Sequence, residues 1–151
     1  MFRYVHHFKS KNFPLIVISF ETIIKVDERH IDYLKHLNHV ETVRFIEQGR
    51  SDWLKMCGLY ALGVETIDGP PRYASVVVNI NYNYRLECSL GELLRIATEP
   101  EHIGNKSYRL RHEMIKPDGS IAFDGQVISV VMDLTTRDIV PVPDCIARHF
   151  S

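Results

Sequence analysis

Residues 38–57 hold the chain's one long run of helical periodicity, and that run constrains the fold more than any other feature. Asn38 stands where an N-cap belongs, Val40–Cys57 carries the periodicity, and Gly58 supplies the stop. Val43, Ile46, Trp53, Leu54 and Cys57 can share one stripe, whereas Glu41, Arg44, Ser51, Asp52 and Lys55 fall largely away from it. Gly49 in mid-helix costs about 1 kcal/mol relative to alanine, and a close helix–sheet approach is the expected compensation.

The rest of the chain offers strands to bury that stripe. Leu15–Val26 (LIVISFETIIKV) is rich in β-branched residues and reads as a strand. Residues 27–37 are polar and irregular, and residues 58–72 form a loop ending in Gly69-Pro70-Pro71. Four strand-like segments follow, at about 73–85, 92–103, 105–116 and 119–133, separated by Ser89-Leu90-Gly91, Gly104-Asn105 and Pro117-Asp118-Gly119. The last two separators are tight enough for hairpins, so this part of the sheet should be antiparallel. A single long helix buries its stripe by lying across a sheet that curls around it. The expected class is α+β, one long helix on a curved, mainly antiparallel sheet of about five strands.

Bulk properties narrow the function. A chain of 151 residues fits one domain with a core of its own. The net charge is -1 and the 18 Lys and Arg residues are scattered, which argues against a nucleic-acid binder. Three cysteines, Cys57, Cys88 and Cys145, without a CxxC pair read as reduced thiols. The apolar run Phe13–Phe20 is short, holds a proline and continues into Glu21 with no small-residue cleavage site, unlike a secretory signal. No stretch approaches the ~20 apolar residues of a membrane span. A soluble, cytoplasmic protein is expected.

Residues 32–50 read DYLKHLNHVETVRFIEQGR. This resembles the 4-hydroxybenzoyl-CoA thioesterase family of hotdog proteins, whose pattern here runs roughly D-x-x-G-H-V-N-N-x-x-Y-L-x-Y-F-E-x-A-R. Asp32, His36, Asn38, Glu47 and Arg50 match, and Leu37, Phe45 and Ile46 are similar in kind. Leu90-Gly91-Glu92 resembles the family's L-G-D turn, Gly104–Ser107 its G-x-x-S turn, and Asp133–Pro143 its D-x-x-T-x-R…P-x-P tail. Lys35 stands where a glycine is common and Thr42 where a tyrosine is common, while His39 matches the Tol-Pal-associated (YbgC-like) branch. The match runs over about residues 20–143, so residues 20–151 are read as the hotdog domain and residues 1–19 as an N-terminal extension or an extended first strand.

The resemblance implies an acyl-CoA thioesterase that cleaves its substrate to free acid and CoA. Asp32, just before the long helix, would act as general base or as nucleophile. Unpaired N–H groups around His39–Glu41 would polarise the thioester carbonyl. His39 would orient water or protonate the leaving thiolate, or else stand exposed in the first turn. His36 is read mainly as holding the loop. Glu47 is either a second base or an ion-pair partner of Arg50 or Arg44 at helical spacing. Lys106, Ser107 and Arg109 are the candidates for the CoA phosphates by position in the family's turn; otherwise they are solvated strand-edge groups. Tyr82 and Tyr84 border the acyl pocket or simply pack the sheet. His30, His36 and His39, with His6-His7, lack a zinc spacing, so no metal is expected, nor any cofactor beyond the CoA of the substrate. The resemblance also implies a homodimer or homotetramer with the site at the subunit interface. Two alternatives are an acyl-acyl-carrier-protein thioesterase, favoured by a basic rim at Lys106 and Arg109, and a non-catalytic acyl-binding or scaffold protein of the same fold.

Overall fold

The computed structural model describes residues 2–7, 17–59 and 71–150. Chain order is β1 (Phe2–His7), β2 (Val17–Lys25), a single 3₁₀ turn (Glu28–His30), α1 (His39–Met56), β3 (Tyr73–Tyr84), β4 (Leu93–Ile103), β5 (Ser107–Ile115), β6 (Ile121–Asp133), β7 (Ile139–Val140) and α2 (Asp144–Ala147). The strands form one antiparallel sheet in the order β1-β2-β4-β5-β6-β3, with β7 paired to β6. α1 packs against β2, β4 and β5. This is the hotdog fold.

The five long strands lie where alternation and turn residues place them. Two short ones, β1 and β7, add to the expected five among the described residues. β1 pairs with β2 from Phe2↔Thr22 to His7↔Val17, so residues 2–7 belong to the same sheet as the residues that follow. Most of the expected loop at 58–72, including Gly69 and Pro70, lies outside the described residues. Both hairpins form as expected. Gly104 N–H donates to Ser107 O at 2.8 Å, and Gly119, at φ +87°, closes the β5–β6 turn with its N–H on Lys116 O at 2.9 Å.

The helix stripe buries as expected at Ile46, Trp53, Leu54 and Cys57. Each large side chain fully buried in this way contributes about 1.5–3 kcal/mol. The core divides into two apolar clusters. One gathers Trp53, Leu54, Tyr108, Leu110, Val131 and Ile146; the other gathers Phe45, Ile46, Leu94, Ile96, Met114 and Phe123. Between them the helix presents Gly49, Arg50, Ser51 and Asp52. The last three are buried, which corrects the expectation that Ser51 and Asp52 lie away from the sheet. The sheet wraps a wider arc of the helix than one stripe. Asp52 tolerates this because Thr22 Oγ1 and Gln48 Nε2 donate to its carboxylate at 3.0 and 2.8 Å. Gly49 faces β4 at short range: a Cβ there would lie 2.6 Å from Ile96 Cγ2.

Candidate active site

The residues ahead of α1 fold as a tight turn rather than a free loop. Ile31 and Leu37 form an antiparallel bridge, Asp32 N–H donates to His36 O at 3.2 Å, and Lys35 N–H donates to Asp32 O at 3.0 Å. Lys35 takes φ +68°, in the left-handed region that glycine adopts without cost. That accounts physically for a glycine at this place in the family pattern. Two backbone bonds pin the turn: Leu37 N–H to Cys88 O and Asn38 N–H to His30 O, each 2.8 Å. His30 in turn packs edge-on against Phe45, with ring centroids 4.8 Å apart.

Asp32 is half-buried at the head of this turn. Its Oδ1 accepts from Leu34 N–H at 2.8 Å, and its Oδ2 receives a longer contact, 3.4 Å, from Asn38 Nδ2. Asn38 also caps α1, its Oδ1 accepting from Val40 N–H at 2.8 Å. Thr42 N–H is already committed to Asn38 O. With Val40 and Thr42 engaged, the first-turn amides with no bond among the described residues are those of His39 and Glu41, at the positive end of the helix dipole.

A cavity of about 380 Å³ opens beside this helix end. Asp32, His36 and His39 line it together with Thr42, Arg85 and Glu87, and its apolar wall includes Leu37, Met114 and Phe123. His36 Nδ1 lies 3.3 Å from Leu37 O, where only a ring N–H can donate. His39 is exposed. Cys88 also lines the cavity, but burial pushes its thiol up to about 11, so at neutral pH it is a protonated, poor nucleophile. Tyr84 lines the cavity as well, packs on Phe123, and donates from its hydroxyl to His39 O at 3.2 Å.

The other expected site residues lie elsewhere in the protomer. Glu47 is eight residues along α1 from His39, about 12 Å, and pairs with Arg50, whose Nε donates to its carboxylate at 2.8 Å. The ion pair expected with Arg50 is present. Arg50 is buried, and its Nη1 also donates to Ser75 Oγ at 3.2 Å. Ser107 and Arg109 lie towards the opposite end of β5 from Met114, roughly 23 and 17 Å away at strand rise, and Lys106 just precedes the strand. Lys106 Nζ donates to Ile139 O at 3.0 Å, and Arg109 faces Glu101 at 3.7 Å. His30 Nδ1 is engaged as acceptor from Asp27 N–H at 3.0 Å, and the side chains of His6 and His7 lie outside the described residues. No group of three His, Cys, Asp or Glu side chains among the described residues is arranged to hold a metal. Sequence reasoning passed over Arg85, Glu87, Phe123 and Met114 as cavity residues. The signal that finds Phe123 is strand register, since β3 and β6 pair Tyr84 with Phe123.

Comparison with known proteins places this geometry in a family. Residues 26–150 match the model of the thioesterase-like superfamily. The long-chain acyl-CoA thioesterase FadM of Escherichia coli (strain K12) is 32% identical over 123 residues, covering 78% of this chain and 86% of that protein. The crystal structure of YbaW, a probable thioesterase from Escherichia coli, is 27% identical with a TM-score of 0.67, covering 85% of this chain and 94% of its own. SAV2348 from Staphylococcus aureus, solved in complex with CoA, shares the fold at 18% identity with a TM-score of 0.77, covering 89% of this chain and 83% of its own.

Proposed function

Because the chain belongs to the thioesterase-like superfamily and is thus a thioester hydrolase, we propose that it hydrolyses acyl-CoA thioesters at the Asp32 cavity. The observation that carries this reading is the placement of a half-buried carboxylate against the N-terminus of α1, beside a cavity with an apolar wall. In this reading the thioester carbonyl oxygen points at the His39 and Glu41 amides, which stabilise the negative charge as it develops. Asp32 draws a proton from water, or attacks the carbonyl carbon itself and is released by water. His39 stands at the same helix end to orient that water or to protonate the departing thiolate. Nothing in this scheme calls on a resident metal or redox group. The products are the free acid and CoA. His39 supports an affiliation with the YbgC-like branch.

Lys106, Ser107 and Arg109 stand towards the far end of β5 from the cavity residue Met114, where they would meet the CoA phosphates at the end of the long pantetheine arm, either in the same protomer or across a dimer. The exposed end of β3 supports such an assembly. β3 closes one edge of the sheet among the described residues, and Val78, Ile80 and Tyr84 on it are 56%, 49% and 54% exposed. The carrier-protein alternative gains no support from a basic rim, since Arg109 faces Glu101 and Lys106 is bonded to a backbone carbonyl. The three free thiols fit a reducing compartment, and among the described residues no helix is long and apolar enough to cross a membrane.

The test is thiol release by the purified protein from short, long, branched and aromatic acyl-CoAs, beside an acyl-carrier-protein thioester of one chain length. Hydrolysis of one or more CoA thioesters is expected. Silence on all of them by a folded protein, with turnover of the carrier-protein thioester, would overturn the CoA assignment.

A further inference from the structure

Asn38 is held at four points. Its backbone N–H donates to His30 O at 2.8 Å, and its carbonyl accepts from Thr42 N–H at 2.9 Å and from Thr42 Oγ1 at 3.2 Å. Its side-chain Oδ1 accepts from Val40 N–H at 2.8 Å, and its Nδ2 faces Asp32 Oδ2 at 3.4 Å. The amide orientation is dictated rather than chosen, because Val40 N–H can only donate. The oxygen end of the amide must therefore take the helix, and the NH₂ end must turn to the carboxylate.

Capping alone does not explain an asparagine here. Asp and Ser cap a helix about as well as Asn. Aspartate at 38 would set a second carboxylate oxygen against Asp32, and serine would cap without reaching it. Among the good caps, asparagine alone carries its acceptor and its donor on separate atoms of one side chain, and here Oδ1 takes the helix while Nδ2 faces the carboxylate. We propose that Asn38 is a positioning residue for Asp32, tying its carboxylate to the helix end whose free amides receive the thioester carbonyl. This deepens the thioesterase reading and rests on it for the reaction, though the Asn38–Asp32 coupling is measurable without turnover.

His36, His39, Arg85 and Glu87 line the same cavity as Asp32, and the turn around it adds Lys35. Substitutions at 38 leave all of these in place, so differences between variants isolate the amide. The experiment follows the Asp32 side-chain carboxyl carbon by NMR from pH 2 to 8 in wild type, Asn38→Ser and Asn38→Asp, with the signal assigned through Asp32→Asn. Thermal unfolding is recorded on the same samples. The titration midpoint of Asp32 should rise in Asn38→Ser, where a donor is lost, and rise further in Asn38→Asp, where two carboxylates share the site. Both variants keep a cap, so both should unfold near the wild-type temperature; if Asn38→Asp does not fold, Asn38→Ser decides alone. In the hydrolysis assay Asn38→Ser should lower kcat by about tenfold with KM within about twofold, as expected for a displaced reacting group. An Asp32 midpoint unmoved in folded variants would reduce Asn38 to a cap and overturn the proposal. A shifted midpoint in a protein that hydrolyses no thioester would uphold the coupling while rejecting the proposed reaction.

Discussion

Gly49 of α1 faces Ile96 of β4 so closely that an added Cβ would lie 2.6 Å from Ile96 Cγ2 and 3.2 Å from Thr98 Oγ1. Alanine at 49 gains about 1 kcal/mol of helix propensity, but overpacking a filled core costs about 1–3 kcal/mol. Ile96 is fully buried and stiff at χ1, so its methyl has nowhere to turn. Gly49→Ala should therefore lose up to about 2 kcal/mol net, seen as a lower urea midpoint at unchanged slope. A gain in stability would contradict the close approach.

Lys35 offers the opposite case. Its φ of +68° carries a steric cost that glycine avoids, partly offset by the greater freedom glycine gives the unfolded chain. Lys35→Gly should stabilise by about 0.5–1 kcal/mol in the same urea experiment. A destabilised variant would mean that the Lys35 side chain makes contacts that outweigh its backbone strain.

The contrast between these two positions shows what the sequence made legible. Local chemistry was readable: the Asn38 cap, the Gly58 stop, the hairpin turns and the five long strands all depend on neighbours within a few residues. Gly49 was readable too, since a glycine in mid-helix asks for a close neighbour, although not which one. What escaped was set by the sheet's wrap. Ser51 and Asp52 sit on the polar side of a one-stripe helix, yet they are buried because β2 and its neighbours enclose more of α1 than a flat sheet would. Phe123 joins Asp32 at the cavity only through the β3–β6 register and the return of the 84–88 segment to the Asp32 turn, pairings between residues distant in sequence. The two strands of a few residues, β1 and β7, are too short or too weakly patterned to announce themselves.

His112 gives the fold a pH dependence of definite sign. It is fully buried on β5, with Nδ1 3.0 Å from Thr98 Oγ1 and Nε2 without a partner among the described residues. Burial, with the nearby Arg50 guanidinium adding to it, pushes the ring down to about 3 from an ordinary value of 6.5. Between those values the unfolded chain binds a proton that the folded chain refuses. The stabilising contribution is full above pH 6.5 and falls by about 1.4 kcal/mol per pH unit as the pH drops towards 3. Urea unfolding at pH 7, 6, 5 and 4 should show this slope, and His112→Leu should flatten it by about one proton. An unchanged slope in that variant would place the acid sensitivity elsewhere.

The most direct test of the account is kcat for Asp32→Asn on whichever acyl-CoA the wild type hydrolyses fastest. Asparagine keeps an oxygen to accept from Leu34 N–H and nearly the same shape, but it can neither take a proton from water nor attack as a carboxylate. We expect kcat to fall by about 10²-fold or more while the fold and KM are largely kept. A folded Asp32→Asn enzyme turning over near the wild-type rate would contradict it and move the chemistry away from this carboxylate.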